Sequence, residues 1–328
     1  MANVLIYGAG AVGSLMGYIL SHVEGKEVDS RKAEGKNSIE NVALLGRKSH
    51  VDKVREDGLK VNRPGGSRRL KFRYCFSKLD QLGGSGFHPD AVIICVKSPA
   101  LERVKDEIAS FMSQSSALRD AEFIILMNGM ANRDILAPLI PSISEGITSV
   151  GIKFSGDGSI ELKGMGKTIF EAGISEKLKS FIRSAFQEKG FEIEFVSAHN
   201  FKGQQWMKLI VNSAINPLTA ILRKENEIVL SDNLQETVRR VVEECVKVAS
   251  KEGLEIDSVG ALDLVRSVAS RTAMNTSSML QDVLKGRKTE INSINGYVVA
   301  LGKKHSVEVP VNETLYSLMK VMEQKVEI

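Results

Sequence analysis

Residues 3–20 read NVLIYGAGAVGSLMGYIL. Asn3 to Tyr7 is a short apolar run of strand type, the glycines at 8, 10 and 13 follow at once, and Ser14 to Leu20 continues as an apolar helix. This order gives each glycine a task. Gly8 allows the tight turn, Gly10 lets backbone approach a pyrophosphate, and Gly13 lets helix and strand pack closely. Gly8, Ala9, Gly10, Ala11, Val12 and Gly13 would then cradle phosphates on the helix amino terminus, where free N–H groups and the dipole favour negative charge. The stretch predicts a doubly wound α/β domain that binds a dinucleotide; a tight βα turn without a ligand is the plainer alternative.

The second strand selects the dinucleotide. An acid at its end would bond the ribose hydroxyls, whereas a cation accommodates the 2′-phosphate of NADP. Val42 to Gly46, VALLG, ends in Arg47 and Lys48 with no acid in the turn. The spacing favours NADPH, with the planar fork of Arg47 as phosphate ligand. An ordinary exposed Arg-Lys pair is the alternative. Before this strand, Glu24 to Glu40 is polar, charged and poor in bulky apolar residues, which predicts a surface insertion.

Two further strand-like runs follow. Ala91 to Val96 ends at Lys97, and Phe123 to Met127 ends at Asn128-Gly129. In a doubly wound sheet the carboxyl ends of strands face the ligand crevice, so Lys97 and Asn128 are expected beside the cofactor, with Gly129 allowing close approach. Either side chain can equally serve as a loop cap. Gly156-Asp157-Gly158 signals a hairpin, and Phe191 to Val196 gives a last strand.

The 328 residues suffice for two domains. The charge balance, 44 basic against 40 acidic residues, makes no demand for nucleic acid. Basic residues concentrate locally, with ten Lys or Arg from Arg47 to Arg73 against Asp52, Glu56 and Asp57; most of these fit a solvated hairpin edge. The three cysteines and five histidines are scattered, so neither a disulfide framework nor a metal site is supported. No apolar run reaches the roughly 18 residues of a membrane span, and no basic segment precedes the first apolar stretch. A soluble, cytoplasmic protein is expected.

From about Phe201 the pattern turns helical, which places a boundary near His199: residues 1–199 as the dinucleotide-binding domain and 200–328 as an all-α domain. Trp206 to Asn216, WMKLIVNSAIN, carries Lys208, Asn212 and Asn216 at every fourth residue, along one helix face. Leu209, Ile210, Val211, Ala214 and Ile215 would bury that helix, so an amine and two amides enter an apolar setting and need a polar partner. A small substrate with a carbonyl and hydroxyls would supply one; a stripe facing water is the alternative. Pro217 is expected to end or bend the helix, and Asn226 to follow in a polar loop.

Asn275 to Asp282 reads as a capped helix start, where Ser278 and Asn275 can grip a carboxylate or simply cap. Glu290 is expected in the first turn of a later helix, where the dipole alone explains it. Its functional alternative is a partner for Lys208 or for a substrate hydroxyl.

Taken together, GAGAVG at Gly8, LLGR at Arg47, VKS at Lys97, NGM at Asn128, KLIVNSAINPLTA at Lys208 and SSMLQDVLKGRKTEI, which contains Ser278 and Glu290, resemble the ketopantoate reductase family over the whole chain. The resemblance implies a Rossmann-type domain followed by a helical substrate-binding and dimerisation domain, with NADPH and 2-dehydropantoate in the cleft between them. It implies Lys208 as general acid and Glu290 as the carboxylate beside the substrate. Asn212, Asn216, Asn226 and Asn275 are implied as substrate contacts, Ser278 as the carboxylate-binding serine, and Lys97 and Asn128 as cleft residues. A small 2-oxo acid is the implied partner, and a homodimer the implied assembly. Met127 departs from the glutamine of many members, and the Glu24 to Glu40 insertion is unusual. A reductase of another branched 2-oxo acid and a non-catalytic NADPH-sensing regulator are the rival expectations; retention of Lys208 and Glu290 argues against the second.

Overall fold

The computed structural model describes residues 2–21 and 39–324. The expected insertion therefore lies outside the described residues, apart from Ile39 and Glu40, which open the second strand. The elements run β1 (Val4–Tyr7), α1 (Ala11–Leu20), β2 (Ile39–Leu45), α2 (Lys48–Asp57), β3 (Leu59–Arg63), β4 (Gly66–Leu70), β5 (Phe72–Phe76), β6 (Ala91–Ile94), α3 (Leu101–Gln114), β7 (Glu122–Leu126) and the short α4 (Asn132–Leu136). They continue β8 (Ser144–Thr148), β9 (Gly151–Gly156), β10 (Ser159–Gly164), β11 (Lys167–Glu171), α5 (Glu176–Glu188) and β12 (Glu192–Val196). Helices α6 (Ala198–Leu222), α7 (Gln235–Lys251), α8 (Ser258–Arg271), α9 (Ser278–Leu284), α10 (Asn295–His305) and α11 (Pro310–Glu323) complete the described chain.

Two compact units result. One comprises Met1–Met127 and Arg133–Ala198, the other Asn128–Asn132 and His199–Ile328. The first holds an eight-stranded sheet in the order β12-β11-β8-β7-β6-β1-β2-β5 and a four-stranded sheet in the order β4-β3-β10-β9. All pairs of the larger sheet are parallel except β8 with β11.

Its central strands β1 and β6 are apolar throughout because both faces are buried. Val4 and Ile6, Val42 and Leu44, Ala91 and Ile93 enter one core with Leu15 and Ile19 of α1 and Leu178, Ile182 and Phe186 of α5. The alternate residues Leu5 and Tyr7, Ala43 and Leu45, Val92 and Ile94 enter another with Leu101, Val104, Ile108 and Phe111 of α3. Each buried Val, Leu or Ile contributes about 1.5–3 kcal/mol. The chain leaves β1 for β2 on one side and returns as β6 on the other, so the carboxyl ends of β1 and β6 flank the topological switch point. The turn at Asp157 closes the β9–β10 hairpin, with Gly156 and Gly158 both at positive φ.

The second unit has its own core, in which Trp206, Leu209, Ile210 and Ile215 of α6 meet Val238, Val241, Val242, Cys245 and Val248 of α7. The i, i+3, i+4, i+7 spacing of that α7 set is the buried stripe of an amphipathic helix. Pro217 departs from expectation. It lies inside α6, which runs from Ala198 to Leu222, three residues earlier at its start than the change of pattern at Phe201 suggests. Among the described residues no helix is long and apolar enough to cross a membrane.

Candidate active-site residues

In the first unit the glycine turn is stapled to the end of β2: the N–H groups of Gly8 and Ala9 both donate to the Leu45 carbonyl, at 2.8 and 2.9 Å. Gly8 has φ +103°, and a Cβ there would strike Val96 Cγ1 at 2.8 Å. At Gly13 a Cβ would run into the Gly8 carbonyl and Ile6 Cγ2. Both glycines are thus demanded by the chain itself. Gly10 is different, because its Cβ would meet only the Gly8 oxygen, at 4.0 Å. Packing does not explain that glycine, whereas the close approach of a phosphate group would, and in this respect the turn fits a dinucleotide. Ala11 and Val12 open α1.

Arg47 follows β2 and precedes α2, and its guanidinium is half-exposed. It lies over the Phe154 ring, 5.0 Å from the centroid, and 3.8 Å from Asp157 Oδ1. The turn of sequence after β2 holds no acid, yet the fold brings one from the β9–β10 hairpin. His50, fully buried, ties the same parts together: Nδ1 accepts the Gly158 N–H at 2.9 Å and Nε2 lies 3.1 Å from Ser14 Oγ of α1. Since Nδ1 accepts, Nε2 carries the proton of a neutral ring. Burial, with a smaller push from Arg47, lowers the His50 pKa to about 4 against the pull of Asp157. Lys97 is exposed just past the end of β6.

In the second unit, Lys208, Asn212 and Asn216 lie on α6 as their spacing predicts. Lys208 is half-buried as a residue, and burial of its amine lowers its pKa to about 8 while the Glu290 carboxylate opposes that fall. Glu290 is buried and accepts a hydrogen bond from Asn128 Nδ2 at 3.2 Å. It does not sit in a helix first turn. It precedes a short 3-10 turn, Ile291–Ser293, makes no side-chain cap there, and α10 begins only at Asn295. The helix-dipole explanation for Glu290 thus does not hold in this geometry.

Asn128 and Gly129 pack with this unit as well. Gly129, at φ +81°, has no room for a Cβ against Ser293, whose carbonyl accepts the Met130 N–H at 2.9 Å. The glycine needed for close approach therefore meets Ser293. No hydrogen bond engages the side-chain amides of Asn212 or Asn216 among the described residues, although Asn216 is buried.

Asn226 is not in an open loop. It starts a 3-10 helix, is buried, and donates from Nδ2 to Thr272 Oγ1 at 2.9 Å while its Oδ1 has no partner among the described residues. Its N–H bonds the carbonyl of Asn275, at 3.0 Å, so the two asparagines are brought together. Ser277, not Ser278, caps α9, accepting the Leu280 N–H at 3.1 Å and meeting Thr219 Oγ1 of α6 at 2.6 Å. Ser278 is the first helical residue, with its side chain exposed. Sequence reasoning missed Thr219, Ser277 and Asp157; the S-S pair at 277–278 was the available signal for the second.

Residues 4–173 match the family described as ketopantoate reductase PanE/ApbA, and residues 200–323 match its C-terminal part. A 2-dehydropantoate 2-reductase of Pyrococcus horikoshii is 31% identical over 325 residues, covering 98% of this chain and 97% of that protein. The crystal structure of a PanE/ApbA family ketopantoate reductase from Ralstonia eutropha superposes with a TM-score of 0.81 at 26% identity over 98% of each chain. D-mandelate dehydrogenase, in a ternary structure with NADH and anilino(oxo)acetate, superposes with a TM-score of 0.80 at 25% identity, again over 98% of each. One match spans the glycine turn and most of the sheet built on it, the other the helical unit that contains Lys208 and Glu290, and the protein accordingly belongs to the ketopantoate reductase family of oxidoreductases.

Proposed function

We propose that this chain reduces 2-dehydropantoate to pantoate with NADPH, in the route to pantothenate and coenzyme A, and that Lys208 is the general acid. The substrate is the one named for relatives about 30% identical over nearly their whole length. The observation that carries the catalytic assignment is the Lys208 ammonium, brought down to about 8 by burial with Glu290 opposing, on the same helix face as two amides that no described residue bonds.

When bound, the dinucleotide supplies a hydride to the C2 carbonyl carbon. The backbone of Gly8 to Gly13 would hold its pyrophosphate, and Arg47, with Lys97, its phosphate and ribose groups. Lys208 does the acid's work: its Nζ hydrogens stabilise the growing charge on the carbonyl oxygen and one of them transfers to it. Glu290 keeps that amine charged near neutral pH, and Asn128 Nδ2 steadies the carboxylate by hydrogen bonding. Asn212 and Asn216 would clamp hydroxyl and carbonyl oxygens, Asn226 offers a buried acceptor for a hydroxyl, and Asn275 and Ser278 would bind the substrate carboxylate.

The likeness to D-mandelate dehydrogenase bound to NADH favours a second reading, reduction of another 2-oxo acid with either dinucleotide. A pocket separates acids that differ by one methylene by only about 1–3 kcal/mol. Steady-state rates with a panel of 2-oxo acids, each with NADPH and NADH, decide between them. The proposal requires the highest kcat/KM for ketopantoate with NADPH; a higher value for another acid, or for NADH, favours the second reading.

A further inference from the structure

Pro217 lies inside α6 and has no N–H to close the helical bond to the Ser213 carbonyl. A side chain supplies the missing donor: Asn295 Nδ2 reaches the Ser213 oxygen at 3.0 Å. Both residues are fully buried, so water does not compete for that carbonyl. Ser213 directly follows Asn212 and stands one turn before Pro217, within the helical turn that ends at Asn216.

Asn295 is itself held. Nδ2 also donates to Asn312 Oδ1 at 3.0 Å. Asn312 Nδ2 donates to Glu244 Oε2 at 2.8 Å and to the Val241 carbonyl at 3.3 Å. Glu244 in turn accepts the N–H groups of Val311 and Asn312, both at 2.9 Å, at the start of α11. Because the Ser213 and Val241 carbonyls and the Glu244 carboxylate accept only, they fix which end of each amide points where. The Asn295 Oδ1 has no partner among the described residues, so the side chain acts here wholly as a donor. A helix interrupted by proline is thus completed by a side chain of α10, anchored through α11 to α7.

We propose that Asn295 is a positioning residue for the substrate-facing side of α6: by standing in for the absent peptide N–H, it holds the turn that sets the Asn212 and Asn216 amides. This rests on the reading of that face as the substrate site. A purely structural asparagine would change stability and leave substrate affinity alone. A positioning residue raises KM for the 2-oxo acid while dinucleotide affinity stays, and its loss is repaired by restoring the backbone donor.

The test is a cycle of Asn295→Ala, Pro217→Ala and the double variant, in which the Pro217→Ala change restores a backbone N–H facing the Ser213 carbonyl. In Asn295→Ala, KM for ketopantoate should rise about tenfold, the loss of roughly one buried hydrogen bond, with the NADPH Kd unchanged. The double variant should recover most of that KM. Unchanged KM in Asn295→Ala, or no recovery in the double variant, overturns the proposal while wild-type turnover of ketopantoate persists. Absence of 2-oxo acid reduction by the wild type overturns the substrate reading and this proposal together. Should Asn295→Ala not fold, Asn295→Ser, whose hydroxyl is too short to reach Ser213, is measured in the same cycle with the same expectations.

Discussion

The carboxylate of Glu290 sustains the charge on Lys208: burial draws the amine down from 10.5 to about 8, and Glu290 is what holds it there. On the proposed mechanism the acid form is the active one, so kcat/KM, which reports the free enzyme, should be level below about pH 8 and fall above it. Replacing Glu290 by Gln removes the group that raises the Lys208 pKa, and the falling limb should move to lower pH. A pH profile of both proteins checks this. A limb that stays in place would mean that Glu290 does not act through Lys208.

On the proposed reading, Asp157 and the 2′-phosphate of NADPH compete for the Arg47 guanidinium. Arg47→Ala should raise the NADPH Kd by about tenfold or more, the loss of charge-assisted bonds, while the NADH Kd barely moves. Asp157→Asn removes a half-exposed carboxylate 3.8 Å from the guanidinium. It should tighten NADPH by about two- to fivefold, the size of an exposed ion pair. Fluorescence titration with both dinucleotides measures each ratio; parallel changes for NADPH and NADH would remove the 2′-phosphate assignment.

Two glycines of the same turn should behave oppositely. Gly13→Ala drives a methyl into the Gly8 carbonyl and Ile6, and should cost about 1–3 kcal/mol of stability. Gly10→Ala meets nothing nearer than 4.0 Å and should keep the wild-type Tm, yet lose dinucleotide affinity. Melting curves paired with NADPH titration separate the two effects.

His50 links stability to acid. Its folded pKa of about 4 lies below the ordinary 6.5, so the unfolded chain takes up the proton first as pH falls. The contribution of the neutral ring is complete above about pH 6.5 and is lost as pH falls through the folded value, on the order of 3 kcal/mol in all. Denaturant melts from pH 7 to 4 should show a shallower decline in His50→Gln than in wild type.

Local patterns were the legible part of this fold. Gly8 and Gly13 answer to atoms within a few residues or on the adjoining strand, and the Lys208, Asn212, Asn216 stripe follows from helix periodicity alone. What the pattern hides is pairing across the chain. Pro217 looks like a helix terminator because its repair comes from Asn295, and Arg47 looks unopposed because Asp157 arrives on a distant hairpin. Asn128 follows a strand of the first unit, yet its amide is taken by Glu290 of the second. Sequence spacing carries helix faces and tight turns; it carries no record of which buried polar group meets which.

The most direct test of the central claim is the turnover of Lys208→Ala with ketopantoate and NADPH, alongside its NADPH binding. Loss of the general acid should lower kcat by about 10²–10⁴-fold with the NADPH Kd unchanged. Undiminished kcat in a variant that still binds NADPH would contradict Lys208 as the proton donor.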